Sequence, residues 1–301
     1  MARSGRVTLA AAFTAGSLLT MVGWRGSTIL LRRRTPDPAD LPSNYGITYN
    51  DVRFPSRDGI PLAGWWLIPE QPNGAALVLC HGHNGSMDGD MAQMARFVQA
   101  GFHVLMFNFR AHGGSGGEHV TFGAREYFDV LGALDWLERE QGMHHAGLVG
   151  FSMGAGVALM AAAHDNRVGA VVADGTILRV ADAIIGFGRE KGLPAGMVRP
   201  LAALILAVAS LRAGVWIPSA DPVRWACEAR CPVLFVQGGR DPFVSYAAAE
   251  TLTRLAWRCA DLWVVPGAGH RDAYRLDPAA YYVRVLGFLE RSLLKQPMPE
   301  S

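Results

Sequence analysis

Six short apolar runs set the fold class of this chain: Ala75–Cys80, His103–Phe109, Gly147–Phe151, Val168–Ala173, Pro232–Gln237 and Leu262–Val265. Runs this short and this continuous suit strands covered on both faces, as in a parallel sheet. Helix-period segments lie between them. Phe128, Leu131, Leu134 and Leu137, for instance, recur along one slowly turning face. Strand–helix alternation of this length predicts an α/β, mostly parallel, doubly wound sheet with right-handed crossovers. Upstream, Gly46–Phe54 and Pro61–Pro69 alternate in apolar character around the turn cluster Ser56-Arg57-Asp58-Gly59, which predicts an N-terminal antiparallel hairpin. One interval, 176–222, is far longer than a crossover helix requires and contains the apolar stretch Leu201–Leu211. It reads as a short helical cap inserted over a site, with a buried core helix as the plainer alternative.

Charge separates a tail from a body. The first 34 residues hold six arginines (Arg3, Arg6, Arg25, Arg32, Arg33, Arg34) and no acid, leaving the remainder with 22 basic and 26 acidic residues, a net of −4. With 18% charged residues overall, disorder is ruled out and a nucleic-acid-coating role is not expected. Val7–Trp24 carries no charge over 18 residues, long enough for a thin hydrocarbon core. Residues 1–34 are accordingly read as a membrane anchor with basic flanks. A cleaved signal peptide and a surface-lying or buried helix are the alternatives, although no good small-x-small site closes the stretch. The arginines on its C-terminal flank favour a cytoplasmic body. The Pro-rich residues 35–44 read as a linker, and 45–295 as the catalytic domain. Four cysteines without a C-x-x-C pair make neither a disulfide scaffold nor a zinc knuckle. Buried thiols are expected, with a Cys227–Cys231 bridge as the alternative.

The chemistry is concentrated at strand ends. Leu148–Gly156 reads as a strand, then Gly150-Phe151-Ser152-Met153-Gly154, then a helix of small residues. A serine at so sharp a strand-to-helix turn projects its hydroxyl above the sheet, and side chains two residues to either side would collide, hence Gly150 and Gly154. A serine hydroxyl needs a base, and the base an orienting acid. The run Pro232–Gln237 ends in Gly238-Gly239-Arg240-Asp241, and Leu262–Val265 ends in Pro266-Gly267-Ala268-Gly269-His270. Both lie at carboxyl ends of strands, where open α/β sheets bind ligands. Ser152, Asp241 and His270 are therefore the candidate catalytic residues, with Asp174 as the reserve acid. A tetrahedral intermediate needs two N–H donors. Met153 supplies one. The loop His81-Gly82-His83-Asn84-Gly85 supplies the other, with Gly82 allowing close approach, His83 N–H as the donor, and His81 bracing the loop. His81-x-His83 imitates a metal pair, but no further ligands cluster with it, so no metal is expected.

With these residues in place, the segment from about 45 to 292 resembles the α/β-hydrolase superfamily, and within it the Bem46/YqkD-like branch of serine aminopeptidase S33-type hydrolases. The matching pieces are H-G-H-N-G at 81–85, N-F-R-A-H-G-G-S at 108–115, G-F-S-M-G at 150–154, Q-G-G-R-D at 237–241 and P-G-A-G-H at 266–270. The resemblance implies an α/β-hydrolase fold, a Ser152–Asp241–His270 triad and an oxyanion pocket formed by His83 and Met153. Members of the branch often carry an N-terminal anchor. Many relatives read D-x-R-G-H-G where this chain has Asn108 and Ala111, a departure that bears on substrate rather than on the triad.

A serine nucleophile implies an acyl-enzyme and needs no cofactor. The expected reaction is hydrolysis of a carboxylic ester. An aminopeptidase would hold its substrate's ammonium with carboxylates, yet the cap offers only Asp182, Glu190 and Asp221. That leans toward an apolar acyl ester or lipid as the small-molecule substrate. An S33-type aminopeptidase or amidase, an acyltransferase with the same triad, and a non-catalytic membrane-tethered module are the alternatives.

Overall fold

The structure is a computed structural model that describes residues 17, 19–256 and 260–294. Most of the Val7–Trp24 stretch, and Cys259, lie outside these residues.

A helix over residues 19–31 (α1) leads into the body. Two strands follow, β1 (Thr48–Pro55) and β2 (Pro61–Ile68), and then β3 (Ala76–Cys80), α2 (Met91–Gln99), β4 (His103–Phe107), α3 (Tyr127–Gln141), β5 (Ala146–Phe151), α4 (Met153–His164) and β6 (Val168–Asp174). The interval after β6 holds α5 (Val180–Glu190), α6 (Ala195–Ala213) and α7 (Pro222–Ala226). The chain closes with β7 (Val233–Gly238), α8 (Tyr246–Leu255), β8 (Ala260–Val265), α9 (Ala273–Leu276) and α10 (Pro278–Leu293). The strands form one eight-stranded sheet in the order β1-β2-β4-β3-β5-β6-β7-β8. The hairpin β1–β2 pairs Thr48 with Ile68 and Pro55 with Pro61, and β2 runs antiparallel to β4. Every other pairing is parallel.

Pleating sends alternate side chains of each central strand to opposite faces, so a continuous apolar run serves two cores at once. From β3, Ala76, Val78 and Cys80 join Leu134, Leu137 and Val157 of α3 and α4 on one face. Leu77 and Leu79 join Met94, Phe97, Tyr281 and Phe288 of α2 and α10 on the other. Both faces are dry, and the chain crosses between them at the carboxyl ends of the strands. A loop leaving β3 and another leaving β5 consequently meet at one rim, because Cys80 is in register with Gly150.

α6 is the one helix among the described residues whose length and apolarity would cross a membrane. Its buried positions Val198, Ala202, Leu206 and Ala209 fall at helical spacing. Leu206 and Ala209 pack with Leu30 and Leu31 at the end of α1 and with Val180 of α5. Residues 35–44, read as a linker, are tied to the body. Asp37 N–H donates to Ser86 Oγ at 2.9 Å, and a helical turn over Pro42–Tyr45 hands Ile47 N–H to the Pro42 carbonyl at 3.1 Å. Proline suits such a turn as well as it suits a tether, and composition does not distinguish the two.

Candidate active site

β5 ends at Phe151 and α4 begins at Met153, leaving Ser152 alone to turn the chain. It does so at φ 53°, ψ −110°, a conformation that costs a non-glycine residue on the order of 1–3 kcal/mol. Its N–H donates to the Asp174 carbonyl at 2.8 Å, which holds the strained turn against β6. The flanking glycines are there for space. A Cβ on Gly150 would lie 2.6 Å from Ala155 Cα, and one on Gly154 would be driven into the Cys80 carbonyl.

The loops after β7 and β8 bring two further side chains to this turn. His270 Nε2 lies 2.9 Å from Ser152 Oγ, and His270 Nδ1 lies 2.7 Å from Asp241 Oδ2. Asp241 is wholly buried at its side chain (0% exposed), while His270 keeps 18% open to solvent. The other carboxylate oxygen, Oδ1, accepts N–H bonds from Phe243 at 2.8 Å and Val244 at 3.0 Å. Both oxygens are thus committed, one to positioning the carboxylate and one to the imidazole. Phe243 also sets its ring edge-on to His270 at 5.1 Å. With Nδ1–H donated to Asp241, Nε2 is left to accept the hydroxyl proton of Ser152, which is the arrangement that nucleophilic catalysis requires.

Asp174, the reserve acid, takes a different part. Its carboxylate accepts the Tyr281 hydroxyl at 3.1 Å, and complete burial pushes it up to about 6. It does not bond His270. The loop after β3 lies across the site from the imidazole. A Cβ on Gly82 would stand 3.9 Å from Ser152 Cβ, so this loop passes beside the nucleophile turn. Met153 N–H, first in α4, has no acceptor within its own helix. His81 is buried, donates from Nδ1 to the Gly82 carbonyl at 2.8 Å and accepts Phe109 N–H at Nε2 at 3.0 Å. Burial holds its pKa well below the usual histidine value, so the ring is a neutral brace. The second histidine of the pair, His83, turns its Nε2 to the Arg34 guanidinium instead of toward a shared ion.

Several residues that hold the site were not among the sequence-predicted site residues. Arg110 anchors the loop beside the oxyanion segment by bonding Asp129 at 2.6 Å and Asp58 at 2.6 Å, and its own N–H donates to Asp129 at 2.8 Å. His112 Nε2 lies 2.9 Å from the His83 carbonyl. Arg271 stacks its guanidinium 4.4 Å over Phe151 and bonds Asp90 at 2.5 Å. Arg110 and His112 fall within the 108–115 stretch, which was the one available clue. α5 lies over this rim, where a Cβ on Gly186 would meet the Phe243 ring at 3.2 Å.

The sequence profile described as the alpha/beta hydrolase fold matches residues 75–199, from β3 through the nucleophile turn into α6. An uncharacterised Bacillus subtilis protein, YqkD, is 26% identical over 250 residues, covering 79% of this chain and 78% of its own. A solved esterase of Pyrococcus furiosus superposes with a TM-score of 0.73 over 87% of this chain and 98% of that one. Over residues 75–199, and in overall shape, the chain is similar to proteins of the α/β-hydrolase fold. At 23% identity the esterase shares its fold with this chain, and the likeness extends no further. A third relative, a polyketide transferase of Stachybotrys chlorohalonatus, is 35% identical over 132 residues, covering 42% of this chain and 44% of its own. The strand order places Ser152 at the carboxyl end of the central strand β5, with Asp241 and His270 reaching it from β7 and β8 on one side and the His81–Ser86 loop from β3 on the other.

Proposed function

We propose that this protein is a serine hydrolase of the α/β-hydrolase superfamily that cleaves carboxylic esters of apolar acyl groups through an acyl-enzyme. The observation that carries the reading is the unbroken relay from Ser152 Oγ to His270 Nε2 (2.9 Å) and from His270 Nδ1 to Asp241 (2.7 Å). As Oγ attacks the ester carbonyl, His270 takes its proton and Asp241 stabilises the imidazolium. The carbonyl oxygen becomes an oxyanion and receives the N–H groups of Met153 and His83. Collapse expels the alkoxide, to which His270 returns the proton. Water then enters, is deprotonated by the same imidazole, attacks the acyl carbonyl and releases the acid.

Ester rather than aminoacyl amide follows from the cap acids. Asp221 is spent on capping Val223 N–H at 3.0 Å and lies 3.7 Å from Arg179, and the charge of Arg179 also falls on half-buried Asp182. The cap is therefore poor in carboxylates that could hold a substrate ammonium. A fluorophosphonate probe should label the protein, and Ser152→Ala should abolish the label; persistence of labelling in that variant would refute the reading. A panel of acyl esters of increasing chain length against aminoacyl amides tests the substrate class, and a preference for amides overturns it.

Acyl transfer is the second reading, favoured by the polyketide transferase relative. Both reactions share the acyl-enzyme and differ only in whether water or an alcohol resolves it. Product analysis with competing alcohols separates them. We further propose that the N-terminal segment holds the enzyme on a membrane with its body on the cytoplasmic side. The support is the run of exposed apolar side chains Leu19, Met21, Trp24 and Ile29 on α1, continued by Met197 and Leu211 on α6. Cell fractionation with protease protection tests both parts.

A further inference from the structure

The loop that carries the His83 amide is held from two directions. One is local: Phe109 N–H on the His81 ring and His112 on the His83 carbonyl. The other comes from the N-terminal segment, more than forty residues away in the chain. The Arg34 guanidinium bonds His83 Nε2, and Asp37 Oδ2 accepts Ser86 N–H at 2.6 Å while Asp37 N–H donates to Ser86 Oγ at 2.9 Å.

Arg34 is itself firmly placed. Its N–H donates to the Ala111 carbonyl at 2.9 Å, and its Nη2 donates to the carbonyls of Ile29 (3.1 Å) and Leu30 (3.2 Å) at the end of α1. It is 7% exposed, its Nε finds no hydrogen-bond partner, and no carboxylate among the described residues lies within ion-pair distance of it. Burial and the nearby Arg32 lower its pKa to about 10, so it remains a cation at neutral pH. A buried, uncompensated guanidinium is costly, and nothing in the apolar packing around it requires a charge. By donating to Nε2 it fixes the His83 ring as the neutral Nδ1–H tautomer, a ring wedged on its other side by Phe122 at 4.1 Å. That leaves a buried positive charge on the side chain of the residue read as the second oxyanion donor.

We propose that Arg34, supported by Asp37, is a positioning residue of the oxyanion hole, holding the His83 amide where the tetrahedral intermediate places its negative oxygen. This rests on the serine-hydrolase reading above. It makes residues 34–37 a working part of the site, and through the carbonyls of Ile29 and Leu30 it ties the site to α1.

The test uses the full-length protein and the variants Arg34→Gln, Arg34→Lys and Asp37→Asn. Loss of one oxyanion donor costs on the order of 10²–10³ in kcat, so Arg34→Gln should lower kcat by about 10²-fold with KM within about threefold of the parent. Its affinity for an alkyl boronic acid, which forms a tetrahedral adduct on the serine, should fall by the same factor. Arg34→Lys should recover most of both losses because the charge is retained. Asp37→Asn should lower kcat by about tenfold, an order-of-magnitude expectation for a partly loosened loop. Arg34→Gln with kcat and boronate affinity near the parent's overturns the proposal. So does a variant whose melting temperature falls while its boronate affinity holds, since that is packing alone. Should Arg34→Gln not fold, Asp37→Asn decides by the same two readouts. Failure of the parent to react with a fluorophosphonate would refute the serine-hydrolase reading instead, which keeps the two outcomes distinct.

Discussion

Replacing Asp241 by asparagine removes one charge and hardly any volume, and the hydrogen bonds around it dictate the consequence. The new side chain's oxygen keeps the N–H bonds of Phe243 and Val244, now at 2.8 and 3.0 Å, because a backbone amide has no other use for the position. Its NH2 group is then turned to His270 Nδ1, where a carboxylate oxygen stands at 2.7 Å today. A donor at that point forces Nδ1 to accept, so the ring carries its proton on Nε2, facing Ser152 Oγ at 2.9 Å. The base then has no free lone pair for the hydroxyl proton, and the imidazolium that must form has lost its counter-charge. General-base assistance is worth about 10²–10⁴ in rate, and the charge-assisted bond about 1.5–3 kcal/mol more. Wrong-tautomer variants of such triads lose about 10⁴ in kcat, or about 5 kcal/mol of transition-state stabilisation. The assay is kcat/KM on a p-nitrophenyl ester together with the rate of fluorophosphonate labelling, both of which should fall by about 10⁴ while melting stays within a few degrees. Asp174→Asn is the internal control, since Asp174 bonds Tyr281 and not His270. Activity of Asp241→Asn within tenfold of the parent, or an equal loss in Asp174→Asn, would refute the assignment of the acid.

Gly150→Ala should destabilise the protein by about 3 kcal/mol in urea, because its Cβ would sit 2.6 Å from Ala155 Cα and the nucleophile turn would have to open by nearly an ångström. Asp129→Ala should cost about 3–5 kcal/mol by the same measurement, since it strands the buried Arg110 with half of its carboxylate partners, and a loss below 1 kcal/mol would show that the pair does not anchor the loop. Asp174 supplies a pH dependence. Its folded-state pKa of about 6 lies above the ordinary 3.8, so the folded state holds the proton more tightly and stability falls as pH rises from about 4 to about 6. The span corresponds to about 3 kcal/mol, and Asp174→Asn should lessen the fall of the unfolding free energy across that window, leaving the part due to buried Asp129, which is likewise raised, to about 7. An unchanged slope in the variant would contradict the buried-acid account.

The sheet was legible because a strand buried on both faces leaves a signature within a few neighbouring residues. The runs Ala75–Cys80 and Gly147–Phe151 differ from β3 and β5 by a single residue at their starts. β4 stops at Phe107, short of the run that continues to Phe109, because Asn108 and Ser115 turn the chain away: Asn108 N–H bonds the Ala63 carbonyl at 3.0 Å and Ser115 Oγ bonds the Asn108 carbonyl at 2.5 Å. No periodicity announces such a turn. Ser152, Asp241 and His270 could be chosen from strand ends alone because parallel strands deliver all their carboxyl ends to one rim. The partners of α6 could not, since an apolar stripe states that it will be covered and not by what, and here the end of α1 contributes Leu30 and Leu31.

The same limit explains the tail. Counted as charge, the six arginines before residue 35 form one basic block, fit to flank a membrane segment. An ammonium would leave that reading intact, but a guanidinium is also a rigid fork of donors, and its role is set by which carbonyls come within reach. Arg33 reaches the carbonyls of Gly113, Ser115 and Gly117, at 2.5, 2.6 and 3.1 Å, and so pins the loop that follows β4. Arg34 turns inward to His83 and is lost to any lipid headgroup. Of the described arginines in the block, Arg25 and Arg32 stay exposed with no such bond to the body, so the charge left free to meet a membrane, on the anchored reading proposed above, is smaller than the composition implies. What looked like a boundary between anchor and enzyme is therefore a seam. Its hydrogen bonds run from the end of α1 through two adjacent arginines into the loops that follow β3 and β4, on one side of the nucleophile, and a chain cut there would lose contacts that the rest of the body cannot replace from its own residues.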